Sequence, residues 1–276
     1  MILNCKLSFM RRFFFLIILL FPAFVFAQVE GRKLVPPNAV READVSFSKR
    51  VWRVIDLREK QNKKAVWPGA PINKILYDAA VNGKLIPYLS DSLKSKLSVK
   101  QFLSIGSDTI FQETQIDPND PTITKPDTLF SPFDPIENIR QLMILEDWLF
   151  DKKLSTMTPR IIAIAPLYRG RALGIDLGLQ PLCWFKYDDL KKSEPTCRDL
   201  FIKIRMFNKE NSHSTFTFDD WFEQRQFGSY IVKSSNIDNV SILQDEEVKK
   251  NGLEALIKAE RLKKENFDYE AGQFED

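Results

Sequence analysis

The stretch KRVWRVIDLREK, Lys49 to Lys60, sets five cationic side chains, one tryptophan and four aliphatics in a run without a turn residue. Its periodicity decides how the N-terminal third is read. Phe47, Val51, Val54 and Ile55 fall at i, i+4, i+7 and i+8, the stripe of an amphipathic helix, and Asp44 or Ser46 can cap its start. Lys49, Arg50, Arg53 and Lys60 lie mostly off that stripe. Seven Lys or Arg against two acids between Lys49 and Lys64 make the segment basic, with Trp52 and Trp67 close by. A membrane-surface helix would want a broader apolar face. The narrow stripe fits either a solvated charged cover over a core or a docking face, since arginine and tryptophan anchor interfaces. The interface candidates are Lys49, Arg50, Trp52, Arg53 and Lys60.

Working outward, Pro68, Gly69 and Pro71 end that segment. INKILYDAAVNG predicts a second helix stopping at Gly83, and KLIPY a short extended piece. Residues 112–137 hold five prolines, six acids and one lysine, which reads as an acidic loop, suited to a basic face on a neighbouring copy. Beyond it RQLMILEDWLF, RIIAIAPLY and LGLQPLCWFKY read as three sequential strands with short connections, an antiparallel sheet. Thr217 with Asp220 reads as a capping box opening FDDWFEQRQF, and a charged helix broken or bent near Gly252 follows.

Upstream, Lys6, Arg11 and Arg12 precede the apolar run Phe13–Ala27, and Val25-Phe26-Ala27 stands before Gln28. Fifteen residues with Pro22 inside are short of the about 20 a bilayer span needs, so 1–27 reads as a secretory signal peptide. Gln28 stands where a lipoprotein would need cysteine. Removing the three cations brings the formal charge of +3 near zero, so nucleic acid loses its electrostatic argument as a partner. In an oxidising compartment Cys183 and Cys197 either pair, a loop worth about 3 kcal/mol, or sit as two separately buried thiols.

No set of residues announces catalysis. A single histidine, His213, lies in a polar turn, and there is no Cys-x-x-Cys, phosphate loop or dinucleotide fingerprint. No metal or cofactor is implied. The pairs Asp188/Asp189 and Asp219/Asp220 are adjacent on one element, whereas a glycosidase needs acids across a cleft.

Four blocks then match a known family in order: READVSFSKRVWRVIDLREKQN with Trp67-Pro68, ILYDAAVNGKLIPY, EDWLFDKKLSTMTPRIIAIAPLY and FDDWFEQRQFGSYIVKSSN. Together they resemble the GldN/PorN family, periplasmic components of the type IX secretion system and of gliding motility in Bacteroidetes. The resemblance implies a non-enzymatic subunit that self-associates in a ring with the outer-membrane lipoprotein GldK/PorK and contacts the inner-membrane-anchored GldM/PorM. It implies a periplasmic location, held to the outer membrane through the lipoprotein. The competing classes are an exported carboxylate-based hydrolase acting on glycans and a peripheral membrane-binding protein.

The organisation expected is α+β: an antiparallel sheet of three or more strands flanked by N-terminal and C-terminal helices. Residues 28–111 form a basic helical region, 112–137 the acidic Pro-rich loop and 138–276 the sheet with its C-terminal helices, one globular unit with 38–111.

Overall fold

The computed structural model describes residues 34, 40–106, 108–117, 120–131, 133–172, 175–189, 193–211, 213–236, 240–244, 248 and 252–272. The stretch read as a signal peptide lies outside them. In chain order the strands are β1 Val45–Asp56, β2 Pro87–Tyr88, β3 Asp108–Asp117, β4 Asp120–Ser131, β5 Gln141–Asp151, β6 Thr156–Ala172, β7 Ile175–Pro181, β8 Trp184–Lys186 and β9 Tyr230–Ser234. The helices are α1 Ile72–Val81, α2 Val99–Ser104, α3 Pro135–Asn138, α4 Cys197–Phe201, α5 Phe218–Glu223 and α6 Gly252–Gly272.

The fold is α+β around a seven-stranded antiparallel sheet among the described residues, in the order β2-β8-β6-β5-β1-β9, with β7 also on β6. The third strand expected from LGLQPLCWFKY is present in two pieces. β7 and β8 follow one another along the same edge of β6, interrupted after Pro181, yet Leu182 N–H still donates to Pro166 O at 2.8 Å. Proline lacks the amide a ladder needs, so the break falls beside it.

The helix expected over Lys49–Lys60 is not there. Residues 45–56 are a strand, paired antiparallel with β5 along its length and with β9 over Val51–Val54. The helical spacing arises because this strand is covered on both faces at its far end. Val51, Arg53, Val54 and Ile55 are all buried there, which erases the period-two alternation still visible from Val45 to Arg50. Val51, Val54 and Ile55 are also β-branched, which suits a strand better than a helix. Within the region read as helical, residues 40–106 are therefore mixed, with β1, α1, β2 and α2 in sequence.

The acidic loop expected over 112–137 is likewise replaced. β3 and β4 form an antiparallel ribbon of their own, and α3 follows. Pro121 and Pro126 lie on β4, and a two-stranded ribbon tolerates them because each strand has an open edge. The ribbon's root is fixed: Gly106 has φ +78° and lies against Phe133, whose ring a Cβ would meet at 2.7 Å. Phe133 in turn packs edge-on to Tyr168 of β6 at 6.0 Å.

One face of the sheet carries the main core. Ile55, Leu142, Ile144 and Ile164 meet Ile72, Leu76, Ala79 and Ala80 of α1 and the aromatics of α4 and α5. A smaller apolar cluster joins Val51, Ile231, Ile242 and Ala259, which seats α6 on β1 and β9. The opposite face is covered by β2 and the segment after it at one end, where Tyr88, Leu145, Ala163, Ala165 and Trp184 cluster. At the Val45 end that face is open, and Ser46, Ser48 and Arg50 are exposed.

α5 shows how a six-residue helix is held. Thr217 Oγ1 accepts from Asp220 N–H at 3.3 Å while Asp220 Oδ2 accepts from Thr217 N–H at 2.9 Å. The capping box orients Phe218, Trp221 and Phe222 into the core. Thr217→Ala is expected to lower stability by about 1–2 kcal/mol, with most of it retained in Thr217→Ser. A shifted urea midpoint checks this; an unchanged one contradicts the cap's role.

Candidate interaction surface

Because β1 is a strand, its pleat sends the five expected interface residues different ways. Arg50 and Trp52 share the open face. Arg50 donates through Nε and Nη2 to Asp147 of β5 at 2.6 and 2.9 Å. Trp52 donates from Nε1 to Asp91 at 3.2 Å, and Lys233 of β9 lies over its ring at 4.6 Å. These contacts hold a half-exposed, mixed-charge and aromatic strip across β9, β1 and β5.

Arg53 points to the opposite face and is buried at 9 % exposure. Its Nε donates to Ser229 Oγ at 3.1 Å. Burial pushes its pKa down, and the neighbouring Glu146 carboxylate opposes that. Glu146 is fully buried and accepts from Arg225 and, at 3.0 Å, from Trp148 Nε1. Arg225 stands just past α5 with φ +52°. Arg53 is thus part of a buried charge cluster and no part of an external surface. Lys49 lies on the same side nearer the rim, beside Ser234 and Ser235.

Lys60 is exposed in the turn that follows β1, away from the other four. That turn is tied down by Asn62, whose Nδ2 donates to Asp56 O at 2.8 Å and Gly228 O at 2.9 Å. Asp56 accepts from the Arg58 guanidinium and from Gln141 Nε2, and Arg58 first, then Gln141, hold its carboxyl down to about 2. Downstream, Trp67 stacks on Phe207 at 5.1 Å with both rings partly exposed.

The carboxylate pairs have structural duties. Arg198, 3 % exposed, donates to Asp219 and to Asp188, each at 3.0 Å, and so joins α4, α5 and the end of β8. Although burial opposes it, Asp219, Glu223 and Asp188 raise the Arg198 pKa. Asp189 accepts from Ser193 Oγ at 2.6 Å, and Asp220 belongs to the α5 cap. Cys183 and Cys197 are free thiols rather than a disulfide. Each is sunk in the main core, and burial pushes both thiols up, which makes them unreactive.

Sequence reasoning missed Asp91, Asp147, Glu146, Arg225 and Lys233. Glu146 left a trace: it falls two residues after Ile144 and four after Leu142, on the buried parity of an apolar strand. Asp147 and Lys233 depend on strand register, and Asp91 and Arg225 on how turns distant in sequence fold onto the sheet, which no local pattern carries.

The family model for the gliding motility associated protein GldN matches residues 40–275, nearly all of the compact unit 34–276. The chain belongs to the GldN family. No curated protein matches it. GldN is a gliding motility component, so this chain is a gliding motility-associated protein. In this GldN-family chain, every block that carries the resemblance falls within the matched span.

Two outcomes follow. Glu146→Ala leaves buried Arg53 and half-buried Arg225 without their carboxylate, and a loss of about 3 kcal/mol in urea unfolding is expected; a loss under about 1 kcal/mol contradicts the cluster's role. Asp56, depressed in the folded state, contributes stability above the ordinary value of 3.8 that is lost as pH falls toward about 2. Asp56→Asn should flatten that acid limb; an identical limb in both chains would assign the acid loss elsewhere.

Proposed function

We propose that this chain is a non-enzymatic ring subunit of the type IX protein secretion system and of gliding motility. It works in the periplasm, assembles with a GldK/PorK-like outer-membrane lipoprotein and contacts a GldM/PorM-like inner-membrane-anchored protein. The family match over residues 40–275 carries the reading. The engagement of Asp188 and Asp219 by Arg198 supports it, because the acids a glycan hydrolase would use are already held as structural ties. The leader-like run before Gln28 supports export.

Within this reading the open sheet face with Arg50, Trp52 and Lys233 is an interface, whereas Arg53 is part of the core. Its aromatic and cationic make-up suits a protein partner. Residues 28–276, co-expressed with the soluble part of the cognate lipoprotein, should elute as a complex far heavier than one-to-one by light scattering. A clean monomer that ignores the lipoprotein would contradict the proposal. Arg50→Ala should cost under about 1 kcal/mol of stability while weakening that complex. A complex of unchanged mass and affinity would remove this face from the interface.

A further inference from the structure

The sheet is incomplete beside β1. β9 ends at Ser234, and Ser235 N–H still donates to Arg50 O at 2.8 Å, so Arg50 turns its backbone groups toward that edge. Strand alternation turns Ser48 the same way, and exposed Ser48 meets no backbone partner on that side among the described residues. The chain leaves the edge at Asn236, whose side chain both accepts from Val240 N–H and donates to Val240 O. What remains is a groove of about 580 Å³, walled by Lys49 and Ser235 on one side and by Lys258 and Leu262 of α6 on the other. Its described lining holds two cations and no carboxylate.

The complementary element is rooted at the other end of the sheet. The register places Val45 beside Asp151, and Asp151 beside Thr156, at one end of the sheet; Asp56, Gln141 and Leu167 share the other. The β3–β4 ribbon is rooted at Phe133 and Tyr168, the second end. Eleven residues of strand separate the ends by on the order of 30 Å. Between residues 108 and 131 the ribbon has five carboxylates and one lysine. Among the described residues β3 and β4 pair only with each other, and a lone two-stranded ribbon is marginal in water.

We infer that the Ser46–Lys49 edge and its groove receive the acidic β3–β4 ribbon of a second copy of this chain. The ribbon's open edge adds a strand to β1, in line with β9, and its acidic composition complements the cationic groove beside Lys49. Because the slot and the root of the ribbon lie at opposite ends of the sheet, the contact is head to tail and continues from copy to copy, as a ring requires. The inference rests on the self-associating ring subunit proposed above and names the surface through which it self-associates. The outer edge of β7 is less suited: Gly178 bulges with φ +77°, its N–H is taken by Asp176, and Pro181 has no amide.

Cross-linking the full chain tests it. A Ser48→Cys/Thr124→Cys double variant in a Cys5→Ser background, treated with a short bis-maleimide, should give a ladder of dimers, trimers and larger species. Cys183 and Cys197 are buried and stay silent. Lys49→Glu should lower the ladder's yield on the order of tenfold at an unchanged urea midpoint, and Asp120→Lys together with Asp127→Lys should restore it. Heavy assemblies that form with the lipoprotein but give no ladder, give only an internally linked monomer, or ignore Lys49→Glu would overturn this inference alone. A wild-type chain that stays monomeric with and without the lipoprotein would overturn it together with the ring reading.

Discussion

β1 is hydrogen-bonded on both sides, to β5 along its whole length and to β9 over its second half, and the remaining features depend on that placement. As the first described strand of the chain it pairs with the last, which brings residues near the two ends of the described fold into one sheet. It also fixes two faces with different tasks. Val51 and Ile55 enter the apolar clusters under α6 and α1, while Arg50 and Trp52 look onto the open face. Where β9 stops, β1 becomes an edge.

Between the main core and the α6 cluster lies a charged seam, Arg53, Glu146 and Arg225. Burying ions is costly unless each is matched, and here the carboxylate is met by an arginine and an indole N–H. The seam ties β1 and β5 to the segment after α5. Arg198 does the same on the other side of α5, drawing Asp188 and Asp219 together. Two polar ties, each shared between elements distant in sequence, hold short helices against the sheet that their own length would not stabilise.

Much of this was legible in residues. The strands around Ile144 and Ile164, the α1 helix with its Gly83 stop, the Thr217 cap and the α+β class follow from local patterns that tertiary structure obeys. The two failures share a cause. β1 and the β3–β4 ribbon have no clean alternation along their length, one because both its faces are covered over Val51–Ile55, the other because Pro121 and Pro126 interrupt it with turn-forming residues. A central strand can imitate helical spacing, and an acidic, proline-containing ribbon can imitate a linker. The five candidate residues do not share one surface: Arg50 and Trp52 lie on an open face, Lys49 at a rim, Arg53 in the core and Lys60 in a separate turn. Only pairing partners could have separated them, and register is non-local.

Hydrogen–deuterium exchange on the free chain and on its assembly with the lipoprotein tests the account most directly. In both states Val51–Ile55 should be among the slowest amides, as for a central strand. On assembly, Ser46–Lys49 and the β3–β4 ribbon should gain protection together. Fast exchange at Val51–Ile55 in the free chain, or assembly that leaves both Ser46–Lys49 and the ribbon unprotected, would contradict it.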